Sequence, residues 1–133
     1  TANLHANWHL LRAFEPLLMK SEAGRIVFVT SGVAKEPTAY WGVYGVSKAA
    51  LENMAQAYAE EVKQLALKVN LIDPGAIRTD MCAEWMPGGD PLTLPPAEEI
   101  TEAFVCLSET ACSWHGAILS AQDPMFFKEF CTS

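Results

Sequence analysis

Basic residues are scarce in this chain of 133 residues, which carries 9 Lys and Arg against 16 Asp and Glu and a formal charge of -7. Proteins that bind nucleic acids need clustered Lys and Arg to neutralise phosphates, so we expect no nucleic-acid partner. Hydrophobic runs long enough to cross a membrane without a charge or a Pro are also missing, so we expect no membrane partner. The length allows one compact domain.

Closely paired cysteines are absent too. The four cysteines, Cys82, Cys106, Cys112 and Cys131, form no C-x-x-C pair, and His5, His9 and His115 have no partners at the spacing of metal ligands. We therefore expect reduced thiols, no metal site, a cytoplasmic location, and histidines that serve as surface or packing residues. Because Thr1 opens the chain in the middle of a pattern, we also expect it to be part of a longer polypeptide.

Helices and strands alternate along the chain. Apolar residues recur with the helical period at about residues 6–19, 44–65 and 97–107, and runs rich in β-branched residues predict strands at 26–30, 68–73 and 116–121. Pro and Gly in residues 81–96 indicate a long loop. The order predicts an α/β fold, a Rossmann-like doubly wound parallel sheet with helices on both faces. Three strands are few for such a sheet, so we expect residues 1–133 to form a single partial domain.

Three polar side chains and one Pro–Gly turn should meet at one edge of that sheet. Ligands of doubly wound sheets bind beyond the carboxyl ends of the strands, where Ser31 follows the first strand and Pro74–Gly75 follow the second. The second helix begins near Tyr44, and Lys48 lies four residues further, on the same helical face. We expect these residues to converge.

The chemistry of this group is coherent. A phenol has a pKa of about 10, and a nearby ammonium group lowers that pKa towards the range useful for proton transfer. The Ser31 hydroxyl could hold a substrate oxygen against Tyr44, and Gly75 would let the backbone approach a flat ligand ring. The alternatives are that Tyr44 and Lys48 form an exposed helix pair without a task and that Ser31 caps a turn.

Three segments carry a resemblance to a known family. The stretches R-I-V-F-V-T-S-G, Y-G-V-S-K and V-N-L-I-D-P-G-A-I-R-T resemble the short-chain dehydrogenase/reductases, and Ser31 lies thirteen residues before Tyr44, as in that family. Asn3, in A-N-L-H-A-N-W, matches the Asn of the family's preceding helix, whereas Asn7 lies closer to Ser31 than the pattern favours. Pro74, Gly75 and Thr79 match the family's P-G-x-x-x-T segment.

The resemblance implies a catalytic site of four residues. Tyr44 would be the general acid or base on the substrate oxygen, and Lys48 would tune it and bind the nicotinamide ribose. Ser31 would position the carbonyl or alcohol, and Asn3 would anchor a water in the proton relay. The implied activity is reversible hydride transfer between NAD(P)H and a small carbonyl or alcohol substrate.

The resemblance also implies a cofactor, NAD or NADP. Besides Lys48 and Tyr44, Pro74 and Gly75 would border the nicotinamide, and Thr79 would lie near its carboxamide or the pyrophosphate, although Thr79 could equally be a helix N-cap. No G-x-x-x-G-x-G or G-x-G-x-x-G segment, by which the family binds the pyrophosphate, occurs in the chain. The resemblance is therefore to the catalytic C-terminal half alone, and we expect this fragment to be inactive by itself.

A second function is compatible with the same segments. In the family, the helices that correspond to residues 6–19 and 44–65 pair across a two-fold axis, which implies a homo-oligomer. Without the cofactor-binding half, the chain could instead be a truncated relative that acts as a non-catalytic dimerisation or interaction module.

Overall fold

The computed structural model describes residues 2–77, 84, 88 and 90–123. Helices and strands alternate in it as follows: a π-helical turn (Ala2–Ala6), α1 (Asn7–Lys20), β1 (Gly24–Val29), α2 (Gly42–Val62), β2 (Leu67–Asp73), α3 (Thr101–Ser108) and β3 (Ile118–Ser120). Short 3-10 turns occur at Gly32–Ala34, Pro91–Thr93 and Ala97–Ile100. The three predicted helices and three predicted strands are confirmed, with ends that differ by a few residues.

The strands form one parallel sheet in the order β1-β2-β3. Gly24 pairs with Leu67 and Val29 with Ile72, so the carboxyl ends of β1 and β2 lie side by side. Leu71 pairs with Ile118, which sets the shorter β3 against the carboxyl-terminal half of β2. This arrangement confirms the predicted Rossmann-like α/β fold.

The core has one layer on each face of the sheet. Helices α1 and α2 cover one face, where the buried residues are Leu11, Phe28, Leu51, Ala55, Tyr58, Ala59, Val62, Leu67, Val69 and Leu71. Helix α3 and the turn before it cover the other face, where the buried residues are Ile72, Ile100, Ala103, Leu107 and Ala121. The central strand β2 contributes to both layers, which explains its nearly continuous apolar sequence.

Polar groups inside this core are satisfied. Asn70 is fully buried in β2, and its side chain donates to the Trp114 carbonyl at 2.9 Å and accepts from the Ala117 N–H at 3.2 Å. These two bonds tie β2 to the segment that leads into β3. The guanidinium of Arg25 in β1 donates to four backbone carbonyls, those of Gly24, Glu109, Thr110 and Cys112, and so fastens the segment after α3 to the sheet.

The prediction that all cysteines are reduced is wrong for Cys106, which is disulfide-bonded, whereas Cys112 is a free thiol. The prediction failed because sequence spacing reveals only cysteines that are close along the chain, while a disulfide joins residues that the fold brings together. Cys82 and Cys131 lie outside the described residues. Among the described residues, no helix is long and apolar enough to span a membrane, and no three His, Cys, Asp or Glu side chains form a cluster suited to a metal ion.

Candidate active site

Tyr44 and Lys48 lie one turn apart at the beginning of α2. The Lys48 ammonium lies 5.7 Å from the centroid of the Tyr44 ring, and its Nζ donates a 2.9 Å hydrogen bond to the carbonyl of Val29, the last residue of β1. The Lys48 side chain is buried, whereas Tyr44 remains partly open to solvent. The amine therefore fastens the start of α2 to the carboxyl end of β1.

The surroundings of this pair affect the protonation of Lys48 and the position of the Tyr44 ring. Burial lowers the pKa of Lys48 below its ordinary value because desolvation disfavours the ammonium form. The Tyr44 ring is packed edge-on against Trp41, with ring centroids 5.7 Å apart and an interplanar angle of 82°. Tyr44 remains at the surface of α2 and not inside the core. An oxygen of a small molecule could therefore reach its phenol.

Ser31 lies where the sequence predicts it, directly after β1. Its backbone is extended, and its carbonyl accepts the N–H of Ala34 at 3.0 Å, which begins the 3-10 turn Gly32–Ala34. A Cβ at Gly45 would lie 3.0 Å from the Val33 carbonyl oxygen, so this turn packs directly on α2 at the residue after Tyr44. The structure thus brings the Ser31 turn and the first turn of α2 together.

Asn3 reaches the same helical turn from the other side. Its Nδ2 donates to the Ser47 hydroxyl at 3.1 Å, and that hydroxyl donates to the Tyr44 carbonyl at 2.7 Å. Asn7 supports Asn3, since its amide donates to the Asn3 carbonyl at 2.6 Å. Ser47 is a residue that the sequence analysis missed, although it stands inside the Y-G-V-S-K segment.

The Pro74–Gly75 turn follows β2, the neighbour of β1. Gly75 has a left-handed backbone with φ of 69°, and its N–H donates to the Asp73 carboxylate at 2.9 Å. A Cβ at Gly32 would lie 3.5 Å from Asp73 Oδ2, so this turn stands beside the corner that follows Ser31. Thr79, the remaining predicted cofactor contact, lies outside the described residues.

A buried polar pair behind the site was also missed. The Thr30 hydroxyl donates to the Glu52 carboxylate at 2.7 Å, and both side chains are buried between β1 and α2. Thr30 precedes Ser31, and Glu52 lies one helical turn after Lys48. The sequence signal that could have revealed this pair is the position of Glu52, which follows Tyr44 and Lys48 at intervals of four residues and so lies on the same face of α2.

The described site therefore combines a phenol, a buried ammonium group, a strand-end hydroxyl and a turn whose central residue has no side chain. A phenol next to a cation is suited to proton transfer at an oxygen atom. A glycine in the turn lets the backbone come close to a flat ring. The arrangement is chemically suited to acid–base chemistry next to a planar ligand.

Sequence comparison places these residues in a known family. The profile of the family described as short chain dehydrogenase matches residues 1–88. The uncharacterized oxidoreductase YciK of Escherichia coli (strain K12) is 42% identical over 105 residues, which are 79% of this chain and 41% of YciK. Carbonyl reductase family member 4 of Danio rerio is 37% identical over 98 residues, covering 69% of this chain and 41% of that protein.

Solved structures agree with the sequence comparison. A putative short chain dehydrogenase from Escherichia coli CFT073, complexed with NADPH, superimposes with a TM-score of 0.85 at 38% identity. The match covers 91% of this chain and 50% of that chain. This chain therefore spans about half the length of the relatives it matches. On the family profile, the relatives and the superposition together, the chain belongs to the short chain dehydrogenase family.

Proposed function

We propose that this chain supplies the catalytic, C-terminal half of an NAD(P)-dependent oxidoreductase that transfers a hydride between NAD(P)H and a small carbonyl or alcohol. The observation that carries the proposal is the position of Lys48, one helical turn from Tyr44 and fastened by its Nζ to the carboxyl end of β1. Family membership supports the reaction class, and the NADPH bound to the E. coli CFT073 neighbour supports the cofactor.

The described residues fit the nicotinamide end of such a cofactor. An ammonium group has three donors, and the bond to Val29 uses one of them, so Lys48 can also bind a ribose hydroxyl. Gly75 adds no side chain of its own to the turn, and the Gln122 amide takes the place of its Cβ, so a ring would lie against the backbone on the other side of the turn. The bound cofactor would supply the hydride, while the protein orients the reacting atoms. Thr79 stays a predicted contact of the carboxamide or the pyrophosphate.

Each side chain of the site has one task in this proposal. Tyr44 gives a proton to the substrate oxygen or takes one from it, next to the Lys48 ammonium, which lies 5.7 Å from the centroid of its ring. Ser31 orients the carbonyl or alcohol by hydrogen bonding. Asn3 holds the first turn of α2 through Ser47. By the family resemblance, it would also anchor a water in the proton relay.

The assignment to the catalytic half is supported by the unpaired edge of β1 in the described sheet. Within the described sheet, β1 pairs on one side only, with β2, so its other edge can accept a further parallel strand. A glycine-rich strand–turn–helix unit, which the sequence lacks, would add there and bind the pyrophosphate. We therefore expect the chain alone to lack activity, and the complete polypeptide, meaning the longest open reading frame that contains this sequence, to have it.

Substitution of Tyr44 in the complete polypeptide tests the proposal. Tyr44→Phe should lower kcat/KM for carbonyl reduction by about 10²–10⁴, the usual contribution of a general acid. Tyr40→Phe is the matched control, because it removes the same hydroxyl from a ring that is fully exposed. Retention of activity by Tyr44→Phe would contradict the proposed role.

Titration with nucleotides distinguishes this function from the alternative, a non-catalytic dimerisation or interaction module. Quenching or enhancement of NADPH or NADH fluorescence by the complete polypeptide, weakened by Lys48→Met, is expected for the oxidoreductase. If the complete polypeptide binds neither NADPH nor NADH, the non-catalytic module is favoured. A cytoplasmic location stays a prediction, and the Cys106 disulfide weighs against it because cytosolic reductants open such bonds.

We also propose that the chain pairs with a second copy of itself, as the family resemblance implies for helices 6–19 and 44–65. Helix α1 exposes large apolar residues at Trp8, Leu10, Phe14 and Leu17, and α2 exposes Val43 and Val46. An open cavity of about 560 Å³ lies between the π-helical turn and α2, lined mainly by apolar side chains. Apolar helices on one face suit an isologous dimer, in which the same patch meets itself across a two-fold axis.

Light scattering of paired variants tests this homo-oligomer. Phe14→Glu and Val46→Glu should each shift the protein towards the monomer, because a charge would be buried at the interface. Val105→Glu is the control, since Val105 is an equally apolar, exposed residue of α3 on the opposite face of the sheet. A wild type that stays monomeric at high concentration would contradict the proposal.

A further inference from the structure

Gln122, two residues after the end of β3, contacts the turn that follows β2. Its Nε2 donates to the Pro74 carbonyl at 2.8 Å and to the Ala76 carbonyl at 2.9 Å. These are the carbonyls on either side of Gly75, so one side-chain amide spans the whole turn. Both hydrogens of that nitrogen are engaged in these two bonds.

The backbone around the turn brings Gln122 to this position. The Ala121 N–H donates to the Asp73 carbonyl at 2.8 Å, which aligns the end of β3 with the end of β2. Gly75 is left-handed, and a Cβ there would lie 2.6 Å from Gln122 Nε2. The glycine and the amide therefore depend on each other, because any side chain at residue 75 would displace Gln122 from both carbonyls.

Few side chains could replace this amide. Two carbonyl oxygens that face one nitrogen need two N–H donors at that nitrogen, which a glutamine provides without a charge. A glutamate of the same shape has no such donor and would place a carboxylate oxygen opposite two carbonyl oxygens. The peptide groups on either side of Gly75 would then rotate away to find water.

We propose that Gln122 is a positioning residue for the nicotinamide ring, which it holds in place through the backbone of Pro74–Ala76. The inference rests on the proposed function, because it takes this turn as the surface against which the ring lies. The turn stands beside the corner after Ser31, where Asp73 Oδ2 lies 3.5 Å from the Cβ position of Gly32. A displacement of the turn would therefore change the distance between ring and catalytic hydroxyls.

Hydrogen exchange tests the clamp itself. In the complete polypeptide, Gln122→Glu should accelerate amide exchange at Gly75 and Ala76 by at least about tenfold, since the turn would open locally. Gln64→Glu is the matched control, because it makes the same chemical change at an exposed residue near the opposite, amino-terminal end of β2. Unchanged exchange at Gly75 and Ala76 in Gln122→Glu would overturn the inference.

Nucleotide binding tests the consequence for the cofactor. Gln122→Glu should raise the Kd of NADPH or NADH, and the cofactor KM, by at least about tenfold, while the KM of the carbonyl substrate changes little. A purely structural role would instead lower the melting temperature and leave the ratio of the two KM values unchanged. If the wild type binds the nucleotide and Gln122→Glu leaves the Kd unchanged, this inference alone is overturned. A wild type that binds neither nucleotide overturns the proposed function and this inference together.

Discussion

The hydroxyl of Thr30 donates a 2.7 Å hydrogen bond to the carboxylate of Glu52, and the two side chains are 2% and 8% exposed. Thr30 is the residue before Ser31, and Glu52 lies one helical turn after Lys48. The pair therefore joins the two elements that carry opposite sides of the candidate site, the end of β1 and the first turns of α2. The pair holds these two elements at a fixed separation, and its own side chains are buried between them.

Removing the Thr30 hydroxyl should weaken this connection. Thr30→Val keeps the shape of the side chain but leaves the buried Glu52 carboxylate without this donor, so the free energy of unfolding should fall by about 1–3 kcal/mol. Thr30→Ser keeps the hydroxyl and loses only a methyl group, and it serves as the control. Urea denaturation measures both variants. A Thr30→Val protein that is as stable as wild type and more stable than Thr30→Ser would contradict the role of the bond.

The buried Lys48 ammonium should serve nucleotide binding but lower the free energy of unfolding at neutral pH. Burial lowers its pKa, so the unfolded chain holds the proton more tightly than the folded chain does between that lowered pKa and the ordinary value of 10.5. Stability of the wild type should therefore rise with pH across that window. Relative to wild type, Lys48→Met should be at least as stable at neutral pH and should lose this advantage as the pH rises.

Denaturation of wild type and Lys48→Met at a series of alkaline pH values measures this difference. Lys35→Met, which removes an exposed ammonium group, is the control for general effects of charge. The same Lys48→Met protein should bind the nucleotide more weakly. A wild-type stability that falls relative to Lys48→Met as the pH rises would contradict the predicted sign.

His115 should be held as a single tautomer. Its Nδ1 accepts the Val69 N–H at 3.1 Å, and its Nε2 lies 2.7 Å from the Ala59 carbonyl oxygen. Because a backbone N–H only donates and a carbonyl only accepts, the proton must be on Nε2. Long-range ¹H–¹⁵N spectra should show this tautomer, and a proton on Nδ1 in the folded protein would contradict the assignment.

Replacement of His115 should have a measurable cost. His115→Phe would leave the Val69 N–H and the Ala59 carbonyl without this partner, and should lower the free energy of unfolding by about 1–3 kcal/mol. His9→Phe, at an exposed position on α1, is the control. The sequence predicts a surface or packing residue at this position, and the ring does pack between α2 and β2, but no sequence signal reveals its two hydrogen bonds.

The fold and the meeting of the elements that carry the candidate site were predictable because their signals are local. The period of apolar residues marks each helix, and the near-continuous apolar run of β2 reflects its burial on both faces. The prediction that β1 is also buried on both faces is wrong, because Ile26 and Val27 are only partly buried and Val29 is exposed. Tyr44 and Lys48 were identified because four residues are one helical turn, which sequence spacing alone reveals. Residues that follow parallel strands meet at one sheet edge, which brought Ser31 and the Pro74–Gly75 turn into the same prediction.

The supporting residues were not predictable because each acts on a distant partner. Ser47 receives a hydrogen bond from Asn3, 44 residues earlier, and Gln122 binds the Pro74 carbonyl, 48 residues before it. An exposed glutamine after a short strand carries no local signal for such a bond. Only the register of β2 against β3 brings Gln122 to the turn, and that register is a property of the folded sheet.

Tyr58 links α1 to α2 and should titrate later than an ordinary tyrosine. Its pKa is raised to about 12, first by burial and then by the charge of Glu15, whose carboxylate accepts the Tyr58 hydroxyl at 3.3 Å. Between about pH 10 and the raised value, the unfolded chain loses this proton while the folded chain keeps it. Stability of the wild type should therefore fall with pH in that window, and that of Tyr58→Phe should fall less.

Absorbance of tyrosinate in the ultraviolet follows this titration directly. One of the three tyrosines should ionise late in wild type, and that late step should be missing from Tyr58→Phe. Glu15→Gln keeps an acceptor for the hydroxyl but removes the charge, so it should move the late step to lower pH without abolishing it, because burial is the larger cause. Early ionisation of all three tyrosines in the folded wild type would show that Tyr58 is not buried between α1 and α2.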